Sequence, residues 1–189
     1  TGVLESREYR EGLFSVQDEA SILVSDILDA RPGDSVADVC AAPGGKTIAT
    51  AELMAGKGVI YAMDKYKHKL KLMETQVKRA GIDNIRLICN DSRQPLAELR
   101  GRMNRVLADV PCSGLGVIRR KPEIKYRELD DNGRGLAVKQ LEILNNAAGY
   151  VKKGGYLLYS TCTINKLEND FVTNEFISSH PEYELELSR

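Results

Sequence analysis

The chain is 189 residues long and 42% hydrophobic, and its 27 basic and 27 acidic residues give a formal net charge of zero. That length buries one substantial core, and the balanced total excludes a uniformly basic nucleic-acid binder while leaving room for local positive patches. No apolar run approaches the ~20 residues that cross a bilayer, and the opening TGVLESREYREG lacks the apolar centre of a signal peptide, so a cytoplasmic protein without a membrane partner is expected.

In chain order, Ser15 is placed to cap a helix with Asp18 three residues on, and Ala20, Leu23, Val24, Ile27 and Leu28 follow at helical spacing. SVADVC (35–40) lies between Pro32-Gly33 and Pro43-Gly44-Gly45, which predicts a strand ending in a tight turn; a helix from about Lys46 to Met54 follows. The alternation continues through GVIYAMD (58–64), a lysine-rich helix, NIRLICND (84–91), a short helical stretch near Leu96, MNRVLADV (103–110), a helix from Lys139 to Tyr150, and GGYLLYSTC (154–162). Strands and helices in alternation predict an α/β fold with a mainly parallel sheet covered on both faces. A last helix near Glu168 to Ser178, capped by Asn165 with Glu168 three residues later, precedes a strand-like YELEL (183–187). A single domain over 1–189 is expected, with 1–30 as lead-in segment and helix and 31–189 as core.

Four of the apolar runs end in an acid or a cysteine: Asp38 with Cys40, Asp64, Asp91, and Asp109 with Cys112; the fifth ends in Cys162. In an open parallel sheet the ligand crevice lies at the carboxyl ends of the strands, so these side chains should converge. CAAPGGK, after the first strand, is a glycine-rich turn that brings backbone N–H groups to a ligand at the positive end of a helix. It matches neither the dinucleotide fingerprint nor the phosphate loop, and the acids that follow suit a nucleoside better than a triphosphate. Asp64 is placed to accept ribose hydroxyls and Asp91 to meet an adenine amino group. Either aspartate alone reads as a helix N-cap, and it is the ordered set that favours a ligand.

Cys40, Cys89, Cys112 and Cys162 form no CxxC pair, and only His68 and His180 stand beside them, so neither a metal site nor a disulfide framework is expected. A lone cysteine usually serves as a small inert hydrophobe, which is the reading for Cys89 within the third strand and in part for Cys40. The two histidines read as surface residues outside any mechanism. Basic residues crowd two stretches, one from Lys65 to Arg79 and one holding Arg119, Arg120, Lys121, Lys125 and Arg127. Each alone reads as a solvated surface.

The segments DVCAAPGGKT, AMDKYKHKL, NDSR, ADVPCSGLG and YSTCTINKLEND resemble the successive motifs of the RNA cytosine-5 methyltransferases of the Sun type, and GLFSVQDEAS and RRKPEIKYR extend the likeness over nearly the whole chain. The resemblance implies a class I methyltransferase fold holding S-adenosylmethionine through Cys40, Ala41, Ala42, Pro43, Gly44, Gly45, Lys46, Asp64, Asp91 and Asp109. Carbon 5 of cytosine is a poor nucleophile, so a thiolate must first add to carbon 6, while a carboxyl group near ring nitrogen 3 stabilises the developing charge. DNA cytosine-5 methyltransferases use a Pro-Cys pair, here Pro111-Cys112. The RNA family uses the cysteine of a Thr-Cys pair, here Thr161-Cys162, and gives the Pro-Cys residue a role in product release. The resemblance therefore assigns Cys162 as nucleophile, Cys112 as helper, Asp109 as the acid and Lys46 as a tuning charge. Because it follows the Pro-Cys loop, the segment with Arg119, Arg120, Lys121 and Lys125 becomes a candidate RNA contact, with Tyr126 available to stack on a base.

Ribosomal RNA of the small subunit is the implied substrate, with transfer RNA in competition. Two other readings stay open: a methyltransferase for DNA or another acceptor, and a non-catalytic binding domain associated with RNA. The start without methionine and the stop at YELEL suggest a fragment of a longer protein that lacks the last strand, with an unpaired sheet edge open to self-association.

Overall fold

The computed structural model describes residues 2–126 and 133–186; Arg127 of the basic segment and Leu187 of YELEL lie outside them. Strands β1 (Ser35–Asp38), β2 (Val59–Asp64), β3 (Ile85–Cys89), β4 (Met103–Asp109) and β5 (Val151–Ser160) form one parallel sheet in the order β3-β2-β1-β4-β5. The helices are α1 (Arg7–Arg10), α2 (Glu19–Leu28), α3 (Gly45–Leu53), α4 (Lys67–Arg79), α5 (Arg134–Ala148) and α6 (Val172–Ser179). Among the described residues no helix is long and apolar enough to cross a membrane.

Successive strand residues point to opposite faces, and each face builds its own core. Val36, Ile60, Ala62 and Leu107 pack with Ile48, Met54 and Met73 of the α3 and α4 side, whereas Ala37, Met63, Val106 and Ala108 pack with Leu144, Ala147 and Phe176 of the α5 and α6 side. Because the inner strands are covered twice, their sequences read as continuous apolar runs. The chain steps outward from β1 through β2 to β3 and then returns to lay β4 on the other side of β1. This reversal places a crevice at the carboxyl ends of β1 and β4, and the candidate aspartates and Cys40, Cys112 and Cys162 lie within or just beyond strand ends.

Several boundaries differ from expectation. Asp18, not Ser15, caps α2, with Oδ1 accepting the Ala20 N–H at 3.1 Å, and Ser15 Oγ accepts instead from Arg79. Only Leu28 of the expected apolar set on α2 is fully buried; Leu23 and Ile27 remain half exposed or more. Helix α5 starts at Arg134 rather than Lys139, because Gly133 in the left-handed region (φ +89°) supplies its N-cap and Gly135, a poor helix former, hid the first turn. Asn165 does accept the Leu167 N–H, but five residues of π-helix (Leu167–Phe171) intervene before α6. Residues 183–186 form no strand; Tyr183 packs edge-on against Phe176 and donates its hydroxyl to Ala148 O at 2.8 Å.

Candidate active site

The turn leaving β1 is built on Asp38 and Gly44. Buried Asp38 accepts from Thr47 Oγ1 at 2.6 Å and from Cys40 N at 3.3 Å, tying the strand end to the first turn of α3. Burial pushes its carboxyl up to about 7, against the opposing pull of the Thr47 hydroxyl. Gly44 has φ +109°, and a Cβ there would meet Met73 Cγ at 2.8 Å, so the turn can seat on α4 only with glycine. The Cys40 thiol is pushed up by burial and then by the surrounding aspartates, which leaves it inert as a nucleophile.

Asp64 and Asp91 stand on the neighbouring strand ends. Asp64 Oδ1 accepts the Tyr66 N–H at 2.8 Å in a turn just ahead of α4, whose N-cap is Tyr66 with no side-chain cap, so the N-cap reading of this aspartate does not hold. Asp91 takes the Arg93 guanidinium through two bonds of 3.0 and 2.7 Å and faces Lys65 Nζ at 3.0 Å; the Arg93 bonds above all hold its carboxyl well below the usual range. The loop is anchored to β1 because Ser92 Oγ donates to Val39 O, and to α5 because Asn146 Nδ2 donates to Ser92 O at 2.7 Å.

On the other side of the crevice, Lys46 Nζ lies 2.6 Å from Asp109 Oδ2, both side chains largely shielded from water. The parallel register pairs Asp109 with Ser160, so Pro111-Cys112 and Thr161-Cys162 leave adjacent strand ends together. The two sulfurs come within 3.0 Å, and the Cys162 N–H donates to Cys112 Sγ at 3.2 Å. Gly116 N donates to Cys162 O at 3.0 Å, and a Cβ at Gly116 would sit 2.9 Å from that oxygen, so glycine permits the two loops to close. Two thiolates at this separation repel, so the pair loses its protons in turn. The Cys112 hydrogen bond lowers Cys162 to about 6 with help from Lys46 and against burial and Asp109, while the same bond raises Cys112.

Of the candidate RNA contacts, Arg119, Lys121 and Lys125 are exposed beside exposed Tyr126 on the segment beyond the Pro-Cys loop. Arg120 is committed to an ion pair with Asp18, the cap of α2. Two minor expectations change. Cys89 is exposed rather than buried, because β3 is an edge strand, and His180 is no free surface residue but stacks on Phe176 with ring centroids 4.2 Å apart.

Two residues escaped the sequence reading. Glu168 is fully buried, and its carboxylate accepts from Ser113 N, Gln140 Nε2 and Asn165 Nδ2. Gln140 left a visible signal, a polar residue on the stripe Ala137, Leu144 and Ala147 that α5 turns toward the core. Glu168 left none, since its spacing from Asn165 matches an ordinary capping box.

Five parallel strands in this order, with the glycine-rich turn after β1 and acids at the next strand ends, make a class I, Rossmann-like methyltransferase fold. The model of the family described as 16S rRNA methyltransferase RsmB/F matches residues 25–189. The chain is 45% identical over 181 residues to "Probable ribosomal RNA small subunit methyltransferase B" of Bacillus subtilis, covering 95% of this chain and 40% of that protein. It is 34% identical to the "tRNA (cytosine(72)-C(5))-methyltransferase" of Pyrococcus horikoshii, covering 88% and 42%. The structure of NSun6 from Pyrococcus horikoshii with SFG superposes with a TM-score of 0.84 at 31% identity, covering 95% and 46%. This chain belongs to the RsmB/F family of RNA methyltransferases, and it spans about 40% of the length of the curated relatives it matches.

Proposed function

We propose that this chain transfers a methyl group from S-adenosylmethionine to carbon 5 of a cytosine in RNA, with small-subunit ribosomal RNA as substrate and Cys162 as nucleophile. The observation that carries the reading is the 3.0 Å approach of Cys112 and Cys162 beside the Lys46–Asp109 ion pair, since methyl transfer to nitrogen or oxygen needs no thiol. The donor set also fits the cofactor: a backbone turn at the N-terminus of α3 meets carboxylates on adjoining strand ends, and Asp64 keeps Oδ2 outside its turn for a ribose hydroxyl. S-adenosylmethionine would lie along Cys40 to Lys46, Asp64, Asp91 and Asp109 and supplies an electrophilic methyl on a sulfonium.

The residues of the chain do the rest. Cys162, lowered to about 6 by its bond with Cys112, is largely thiolate at neutral pH and adds to carbon 6 of the ring. Asp109 lies toward ring nitrogen 3 and hands over the proton it shares with Lys46 as negative charge gathers there during addition, and Lys46 supplies the compensating positive charge. Once carbon 5 carries the methyl group, a base removes its proton and the Cys162–C6 bond breaks, returning the thiolate. Cys112, kept protonated at neutral pH, stands within reach to stabilise the departing sulfur. Arg119, Lys121 and Lys125 supply phosphate contacts that orient the strand without reading its sequence.

The test is mass spectrometry of the protein incubated with S-adenosylmethionine and 5-fluorocytidine RNA, where fluorine blocks release. An adduct lost in Cys162→Ser and kept in Cys112→Ser is expected. An adduct mapped to Cys112 rejects the assignment, and preference for transfer RNA over small-subunit ribosomal RNA rejects the substrate.

A further inference from the structure

We propose that Glu168 is a positioning residue: its buried carboxylate clamps the Pro-Cys loop to the Thr-Cys loop, so that the two thiols meet in reactive register. This rests on the reading of Cys162 as the nucleophile.

Glu168 is entirely shielded from solvent, and its carboxylate bonds to groups beside the thiols rather than to a sulfur. Its Oε2 accepts the Ser113 N–H at 2.8 Å, one residue beyond Cys112, and the Gln140 amide at 2.9 Å. Its Oε1 accepts from Asn165 Nδ2 at 3.1 Å, three residues beyond Cys162. Gln140 extends the clamp by donating also to Pro111 O at 2.9 Å, and Tyr159 at the end of β5 donates to the Glu168 carbonyl at 2.6 Å. Between the loops, Ser113 Oγ and Thr163 Oγ1 stand 2.7 Å apart, so the residue after each cysteine is tied to its counterpart.

A buried carboxylate is costly unless its oxygens are fully hydrogen-bonded, and a leucine or methionine would fill the same volume at less cost. What an apolar residue cannot do is fix three donors from three separate segments at one point. Loop segments joined only by packing would be free to slide, and a shift of about 1 Å at a reacting atom is enough to slow a reaction ~100-fold. The sulfur–sulfur contact depends on such alignment, because each thiol sits on irregular backbone just past its strand.

Glu168→Gln keeps the shape but turns an amide N–H toward the converging donors. The pH profile of Cys162 alkylation by iodoacetamide, read peptide by peptide, reports the thiol contact without needing RNA or turnover. The expected result is a midpoint raised by at least one pH unit and 5-fluorocytidine adduct formation slowed at least 10-fold, with S-adenosylmethionine affinity within about threefold of wild type. A wild-type midpoint overturns the proposal. So does a cofactor affinity that falls as much as the adduct rate, the mark of a general structural role. Should Glu168→Gln fail to fold, Gln140→Met decides: it removes one donor and the Pro111 tether, and an unmoved midpoint overturns the proposal while a raised one supports it. Failure of the parent reading looks different, with the adduct on Cys112 whatever the Cys162 midpoint does.

Discussion

Replacing Cys112 with alanine removes the hydrogen bond that lowers Cys162, and its consequence can be worked through before any measurement. The structure takes Cys162 from 9.0 to about 6 with the Cys112 contact as the leading cause. At pH 7 a thiol of that kind is about nine-tenths thiolate, and one returned to 9 is about one-hundredth thiolate. Intrinsic nucleophilicity rises with basicity at a Brønsted slope of roughly 0.4–0.5, which over three units makes the variant's thiolate about 20-fold more reactive. The two effects nearly offset at neutral pH, where the variant should alkylate only about fivefold more slowly than wild type, and above pH 9 it should be the faster protein. A single-pH rate is therefore a poor assay, and profiles that cross between about pH 6.5 and 8, higher for a larger shift, are the signature. Cys162 lies open to solvent, which screens part of the shift, so the midpoint should move up by between one unit and the full distance. Peptide-resolved iodoacetamide labelling from pH 5 to 10 measures it, with exposed Cys89 as internal reference. A Cys162 midpoint that stays in place, or falls, refutes the view that Cys112 holds the proton of the pair.

Three further outcomes are expected. Gly116→Ala puts a methyl group 2.9 Å from Cys162 O, so the loops must part; iodoacetamide should again find a raised Cys162 midpoint, and a melting temperature and midpoint equal to wild type would show that the backbone yields freely. Asp64→Ala should weaken S-adenosylmethionine binding by about 1.5–3 kcal/mol, the worth of a charge-assisted hydrogen bond, and calorimetry showing an unchanged Kd removes the ribose role. Asp38 is raised from 3.8 to about 7 when folded, so the native state holds a proton that the unfolded chain releases. Its contribution to stability is complete below about pH 4 and is lost as pH rises through 7. Asp38→Asn should accordingly flatten the fall in melting temperature between pH 4 and 7, and parallel curves for the two proteins count against that assignment.

The alternation of apolar runs with helical spacing was enough to specify an α/β sheet, and the acid or cysteine closing each run specified which end of the sheet gathers the candidate residues. Local rules suffice there, because strand length, turn glycines and helix spacing depend on near neighbours in the chain. The same rules misjudged the start of α5, where Gly133 and Gly135 lower helix propensity but tertiary packing of Ala137, Gln140 and Leu144 carries the helix through. They also read Glu168 as a capping residue, since nothing in the order NKLEND tells a carboxylate facing water from one facing the core. That Cys112 and Cys162 touch and that Glu168 ties both cysteine loops together were decided only when β4 and β5 lay side by side, and that Arg120 is spent on Asp18 only when α2 came to lie near the segment after the Pro-Cys loop. The physical reason is distance along the chain: contacts between residues fifty positions apart are set by strand order and register, which exist only once the whole sheet has formed.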